Sequence, residues 1–507
     1  MDKKRSILNV IVSVISKFVL LIVSMLVRRY LIQIIGSEAN GLNSLYLSII
    51  GFLSVAELGV GSAITFCMYK PIVDGNVKQV AALYNLFTKT YRIIGIIILT
   101  TGLCITPFLK YLAKDYSEIG IDMYSTFLLM LASIVVTYLY SAKLSVLNAY
   151  KDNYIATGIT SAGNLLQYVL QIVVLFLTRS FTLYLICRII AALAQWIPTN
   201  IIVERTHKDI IHTTEKIDNK TKKNVLKNIK ALFMHKIGNV LVNTVDSMII
   251  SAFIGIVILG KYSNYTIIMT SMVGIITLFF TPLTSIIGHL YAKESVEETY
   301  KYYNFFYGFN MFIGCVFFLG YYATIDNIVS ICFGDGLELS KTISYIITLN
   351  YFIQFMRRST MLFRDATGTY YYDRWKPILE GICNLILSIF FVNIFPDEFN
   401  LVGVIVATIM TNIFICHIIE PYVLFKYAFK KSVKKQYLTN YCYLLFFALL
   451  LIFMNKVMIV SGNEVHELLI NGCISLLFSF VVFFLLMLVN KDFRLYTKKF
   501  LKKVFVH

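Results

Sequence analysis

The sequence predicts an all-α polytopic membrane protein of about fourteen transmembrane helices, arranged as two parallel six-helix lobes followed by two additional helices. Three observations carry this. Of 507 residues, 58% are apolar or aromatic and only 15% are charged, where a soluble domain would carry about 25% charged residues; mean hydropathy is +0.73. Apolar runs of about twenty residues, the length that crosses a bilayer as a helix, recur along the whole chain. The chain also matches itself at an almost constant offset of 218 to 220 residues. Disordered, collagen-like and disulfide-rich secreted chains are excluded by the same composition.

The N-terminal residues Lys3, Lys4 and Arg5 precede an apolar run over 8–35. That run is too long for the apolar region of a signal peptide and no small-residue cleavage site follows, so it reads as an uncleaved first span. The further spans are 43–67, 92–112, 122–145, 154–177, 181–203, 232–255, 262–288, 302–323, 341–362, 377–396, 401–425, 438–458 and 467–489. An even count puts both termini on one side. Even-numbered connections and the two tails hold 33 Lys and Arg, odd-numbered connections hold 6. The basic side is cytoplasmic by the positive-inside rule, so most of the formal charge of +18 is topology rather than a nucleic-acid footprint. Contact of these loops with anionic lipid heads is a weaker reading. Residues 1–203 form the first lobe and 204–231 a basic cytoplasmic linker. Residues 232–425 form the second lobe, and 426–507 hold the two additional helices and a basic tail. No outside loop is long enough for a folded domain.

The repeat is carried by Ile35, Gly36, Gly41, Tyr46 and Ile49, which meet Ile254, Gly255, Gly260, Tyr265 and Ile268 at an offset of 219. Tyr150, Asn164 and Leu165 meet Tyr370, Asn384 and Leu385 at 220, and Phe181 and Leu183 meet Phe399 and Leu401 at 218. The repeat spans six helices, an even number. Both copies therefore keep the same sense in the membrane, and a cavity between them is the expected substrate site.

Charges inside the spans are the next clue, because a charge at mid-bilayer costs roughly 2.5–3.5 kcal/mol on translocon scales and calls for a partner or a watery cavity. Lys17 and Arg28 lie eleven residues apart, about three helical turns, on one face of the first span, with Arg29 adjacent; Arg188 lies two turns into the sixth. A cationic face that binds phosphate competes here with snorkelling to the interface. For Arg92, Lys143 and Lys236, nearer the cytoplasmic ends, snorkelling is favoured. In the seventh span His235, Asn239, Asn243 and Asp246 form one polar stripe, for an ion, a proton or sugar hydroxyls, with an inter-helix pair as the plain alternative. Glu57, Gly59 and Gly61 mark a hinge or a close packing contact. Glu380, His289, His417 and Glu420 read as isolated polar residues that pack helices. Pro107, Pro198, Pro282 and Pro421 lie in or near spans, as kinks.

The nine cysteines show neither a CxxC nor a metal-ligand spacing; eight fall in apolar runs as small core residues. Walker A, HExxH, GxSxG, dinucleotide-binding and potassium-filter motifs are all absent.

Arg28 with the run IIGSEANGLNSLYLSIIGFLSVAELGVGSAI (34–64) and MYKPIVDGN (68–76), NTVDSMIISAFIG (243–255) with GKYSNY (260–265), and GTYYYDRWKPILEGICNLILS (368–388) resemble the polysaccharide repeat-unit flippases, the Wzx-type family. These belong to the multidrug/oligosaccharidyl-lipid/polysaccharide exporter superfamily. The likeness covers nearly the whole chain. It implies a MATE-like fold and the movement of an undecaprenyl-pyrophosphate-linked oligosaccharide across the bacterial cytoplasmic membrane, without enzymatic chemistry or a cofactor. It also implies polysaccharide polymerase and glycosyltransferases as partners, besides membrane lipids and the lipid-linked substrate. Cationic cavity residues in such flippases hold the pyrophosphate, a role that Lys17 and Arg28 fit by position. Related members draw on H+ or Na+ gradients, which leaves Asp246 open as a coupling residue.

Two relatives compete with this reading, an ion-coupled multidrug exporter and a flippase of lipid-linked peptidoglycan precursors. An exporter of cationic drugs calls for a cavity dominated by carboxylates, whereas intramembrane cations outnumber deep carboxylates here. A membrane-embedded glycan polymerase calls for a sizeable outside loop with catalytic residues.

Overall fold

The computed structural model describes residues 2–57, 60–114, 120–213, 215, 217–218, 221–223, 225–226, 229, 240, 244–280 and 283–505. Among them the chain is helical from end to end, without a strand. Helices are what the composition demands: lipid offers no hydrogen-bond partners, so each span must satisfy its own backbone. Nine described helices are long and apolar enough to cross a membrane.

Two compact units divide the chain, Met1–Gly260 and Lys261–His507. In the first, α1 (Asp2–Ile34) leads into α2 (Ser37–Leu53) and α3 (Val60–Val73), joined by a 3-10 turn at Ser54–Glu57. The predicted 43–67 span is thus not one helix: α2 gives way to the 3-10 turn at Ser54–Glu57, and α3 is described from Val60. Then follow α4 (Val77–Leu112), α5 (Met123–Ala149), α6 (Asn153–Thr178), α7 (Phe181–Thr206) and the short apolar α8 (Thr244–Ile254). Asn76, Asp122 and Ser180 cap α4, α5 and α7 by accepting from the backbone N–H of Gln79, Tyr124 and Leu183, as N-cap side chains do. α1 packs on α6, α6 on α7, and α7 on α5.

α9 (Ile256–Phe280) begins in the first unit and runs into the second, which continues through α10 (Leu283–Lys293) to α11 (Val296–Phe333), α12 (Lys341–Ala366) and α13 (Lys376–Ile394). It ends with α14 (Asp397–Phe429), α15 (Lys434–Val457), α16 (Glu464–Val489) and α17 (Lys491–Phe505). α11 is the hub, in contact with α12, α15, α16 and α17, while α12 packs on α10 and α14. α14 passes through two π-helical segments, Asn412–Cys416 and Phe425–Phe429. Large apolar side chains such as Phe176, Phe480, Phe484 and Leu488 point outward, the surface a bilayer would cover.

The internal repeat has a structural counterpart. Gly36 and Gly255 take nearly the same backbone conformation, with φ of 132° and 139°, directly ahead of α2 and α9. Only glycine adopts it without strain. Five residues on, within the first unit, the two copies meet. A Cβ on Gly41 would overlap the Ile256 carbonyl oxygen, and one on Gly260 would lie 2.8 Å from the Ser37 carbonyl oxygen. Ser37 and Ile256, like Gly41 and Gly260, are repeat mates at an offset of 219, so the contact is reciprocal. Asn40 Nδ2 reinforces it by donating to the Gly260 carbonyl at 3.0 Å. The matched tyrosines behave alike, each inside its own unit. Tyr46 is hydrogen-bonded to Met123 O and Thr126 Oγ1 at the start of α5. Tyr265 bonds Asp326, and its hydroxyl accepts from Leu339 N just ahead of α12.

One expectation needs correction. The span predicted over 341–362 runs further: α12 continues to Ala366 and buries both Arg357 and Arg364. Both arginines are neutralised by carboxylates, so the helix can continue where bare charge would have ended the span. In the basic tail, α17 is an amphipathic helix whose Phe493 and Tyr496 are buried.

Candidate functional site

In the first unit, two of the predicted cations converge. Arg28 comes from α1 and Arg188 from the second turn of α7. Tyr168 on α6 and Tyr184 on α7 each lie within electrostatic range of both guanidinium groups. The convergence follows from helix packing, since α6 lies against both α1 and α7. Arg188 Nη1 points at Met130 Sδ, 3.0 Å away, and its Nε is buried without a hydrogen-bond partner among the described residues. A thioether is a weak acceptor. Arg188 therefore keeps a buried donor unused, which is the condition under which an anion would bind well. Guanidinium forks match phosphate oxygens in plane and spacing, and tyrosine hydroxyls can add neutral donors.

The other predicted residues are placed differently. Lys17 is exposed on α1, eleven residues from Arg28, and Arg29 is half-buried beside Arg28. Asp246 is half-buried on α8, whereas His235, Asn239 and Asn243 lie outside the described residues, as does Gly59. Glu57 sits between two tyrosines of the first unit: Tyr91 Oη donates to its Oε1 at 2.8 Å and Tyr138 Oη to its Oε2 at 2.9 Å. Gly61 leaves room for that arrangement, because a Cβ there would lie 2.8 Å from the Tyr91 hydroxyl. These contacts tie the 3-10 turn after α2 to α4 and α5.

The second unit contains a charged network that the sequence reading treated as separate residues. Glu420 on α14 is 0% exposed. It accepts from Arg357 Nη2 at 2.6 Å and Nε at 3.1 Å, and from Lys376 Nζ at 2.6 Å. Glu380 accepts from Arg357 Nη1 at 3.2 Å and Lys376 Nζ at 3.0 Å. Asn412, at the start of a π-helical segment, accepts from Arg357 Nη1 at 2.5 Å. Arg364, two turns beyond Arg357 on α12, pairs with Asp373 at 2.7 Å and Asp365 at 2.9 Å. His417 Nε2 lies 2.9 Å from the Ile353 carbonyl. Glu380, His417 and Glu420 do join helices, as expected, but Glu380 and Glu420 act together and with two cations. His289 is exposed on α10. Two signals pointed to the network: Arg357 and Arg364 share a helix face at i, i+7, and Lys376 and Glu380 at i, i+4. Arg357 and Arg364 are thus matched by carboxylates, while Arg188 faces a thioether, with Tyr168 and Tyr184 in electrostatic range.

The chain matches no family model, and no curated protein matches it in sequence. Solved structures do resemble it. The inward closed conformation of the lipid II flippase MurJ is similar over 95% of this chain and 99% of that one, with 16% identity and a TM-score of 0.66. The inward-facing conformation of a multidrug resistance MATE family transporter of the MOP superfamily is similar over 78% of this chain and 92% of that one, with 13% identity and a TM-score of 0.60. The MATE-like helical fold expected from the sequence is therefore the fold observed.

Proposed function

We propose that the protein is a flippase that moves an undecaprenyl-pyrophosphate-linked oligosaccharide repeat unit across the bacterial cytoplasmic membrane for surface polysaccharide synthesis, by alternating access and without making or breaking a bond. The observation that carries this reading is the convergence of Arg28 and Arg188 on Tyr168 and Tyr184, with the Arg188 Nε donor unused. A pyrophosphate oxygen would give Arg188 an acceptor stronger than the Met130 thioether. Arg28 and Arg188 hold the headgroup, with Lys17 and Arg29 as further cations along α1; the stripe with Asp246 meets sugars or a coupling H+ or Na+, and Glu57 with Gly59 and Gly61 serves as a hinge. The termini and basic loops face the cytoplasm under the positive-inside rule, where polymerase and glycosyltransferases are the partners.

Extraction of polyprenyl-linked glycans from cells lacking the protein, with mass spectrometry and an assay of surface polymer, tests this. The expected result is accumulation of a polyprenyl-pyrophosphate oligosaccharide together with loss of the polymer; unchanged lipid and polymer with raised drug sensitivity would replace the reading with an exporter. In complementation, Arg188→Ala and Arg28→Ala should each lower polymer output about tenfold at normal protein level, and Arg188→Lys should restore part of it, because a lysine keeps the charge and loses the fork.

One observation favours a second reading. The likeness to the lipid II flippase takes in nearly the whole chain, against 78% for the MATE transporter. A lipid-linked peptidoglycan precursor is then the cargo, and the same mass spectrum identifies it by the muramyl peptide.

A further inference from the structure

The second unit holds a cavity of about 370 Å³ unconnected to the charged network, at the junction of α11, α15, the end of α16 and the start of α17. Its polar wall includes Tyr300 and Tyr307 of α11, Lys435 and Gln436 of α15, and Asn490 and Lys491. Gln436 is 5% exposed, and its buried Nε2 has the Tyr307 hydroxyl oxygen within reach but no well-formed hydrogen bond. An amide donor buried without a well-formed bond is costly, so an acceptor entering the cavity at Gln436 would be favoured. Lys435 and Lys491 are exposed at its rim. The carboxylate there, Asp492, already accepts from Asn304 Nδ2 at 2.9 Å.

The rest of the wall says what kind of acceptor fits. Leu438 and Val489 also line the cavity, and they are 69% and 80% exposed. The cavity therefore opens onto the outward apolar surface of α15 and α16, where acyl chains would lie. α17 marks the level of the interface. Its Phe493 and Tyr496 pack on Phe305 and Tyr302 of α11, with ring centroids 6.0 and 4.5 Å apart. Arg494, Lys498 and Lys499 face away, exposed, the pattern of a helix lying in the headgroup layer. Basic pockets between membrane helices at this level bind anionic headgroups.

We propose that this cavity is a site for an anionic phospholipid, whose phosphate accepts from Gln436 Nε2 and pairs with Lys435 and Lys491 while its chains run down the outer face of α15 and α16. The bound lipid bridges the two additional helices to α11.

The test uses the full-length protein in detergent with phosphatidylglycerol, phosphatidylcholine or inorganic phosphate. Lipid retention is read by native mass spectrometry, and alkylation of Cys442, an exposed thiol in the cavity wall, by peptide mass spectrometry. Phosphatidylglycerol is expected to be retained and to slow Cys442 alkylation, and phosphatidylcholine to do neither. The Lys435→Ala/Lys491→Ala variant should bind phosphatidylglycerol roughly 25-fold more weakly, a factor of about five for each lysine. Lys498→Ala/Lys499→Ala, with the same loss of charge outside the cavity, should change binding less than about twofold. Equal retention of phosphatidylcholine, equal loss in the two double variants, or protection of Cys442 by inorganic phosphate alone would overturn the proposal. Should the Lys435/Lys491 variant not fold, protection of Cys442 in the unaltered protein decides.

Discussion

Replacing Glu420 with glutamine removes one negative charge from the middle of the second unit's network and changes little in volume. The side chain is 0% exposed and accepts three hydrogen bonds from Arg357 and Lys376, at 2.6, 3.1 and 2.6 Å. Without it, two buried cations share the single carboxylate of Glu380. Breaking a buried ion pair from one side typically costs about 3–5 kcal/mol, because the remaining charge is stranded away from water. For a unit of this size each kcal/mol is worth roughly 2–4 °C of melting temperature, so Glu420→Gln should melt about 6–20 °C lower. The assay is the folded fraction after heating in detergent, followed by size-exclusion chromatography. Arg357→Gln added to Glu420→Gln should recover much of the loss, since it removes the stranded partner, and the double-mutant cycle should give a coupling of 2 kcal/mol or more. Arg374, half-buried over the Tyr371 ring and outside the network, is the control: Arg374→Ala should stay within about 1 kcal/mol. A shift below about 2 °C for Glu420→Gln, or strictly additive single and double variants, would refute the view that these charges hold α12, α13 and α14 together.

Gly41→Ala should lower the melting temperature by the equivalent of about 1–3 kcal/mol, because its Cβ runs into the backbone carbonyl of Ile256; Gly158→Ala, with open space around the new carbon, should not. Tyr138→Phe and Tyr91→Phe each delete a hydrogen bond to Glu57 and should cost about 1–3 kcal/mol, read in the same heating assay, with Glu57→Gln largely removing the difference between the two. His207, past the end of α7, is held below its ordinary imidazole range by burial, partly opposed by Asp152, and stacks near Tyr150 at 4.3 Å. The folded state therefore prefers the neutral ring. Its contribution is full above the ordinary value of 6.5 and is lost as pH falls below it, so melting temperatures measured from pH 8 to pH 5 should fall less steeply in His207→Gln.

The apolar runs located most helices because lipid burial imposes one simple rule on every span, and the repeat found Gly36/Gly255 and Gly41/Gly260 because a backbone contact tolerates no other residue. Breaks inside a span were harder to see. The 3-10 turn at Ser54–Glu57 and the π segments of α14 leave the apolar pattern unbroken. Arg28 and Arg188 were legible as charges in apolar surroundings, but their common pair of tyrosines was not, since helix packing brings together positions far apart in the chain. The network around Glu420 was missed for a related reason. Arg357 lies near a span end, where a charge count assigns it to a loop, and its carboxylate partners are 23 and 63 residues away.

The length of α11 has a mechanical consequence. At 38 residues and 1.5 Å per residue it measures about 57 Å, whereas the hydrocarbon layer is about 30 Å thick. Even a tilt of about 40°, the upper end of the usual range, leaves roughly 44 Å along the membrane normal. No orientation within that range immerses it completely, and the end carrying Glu297, Glu298 and Lys301 must stand clear of the acyl chains. α11 is a ruler longer than what it measures. It can slide by several ångströms to suit a thicker or thinner bilayer without dragging its charged end into oil, so the second unit should tolerate changes in acyl-chain length that would strain a shorter central helix.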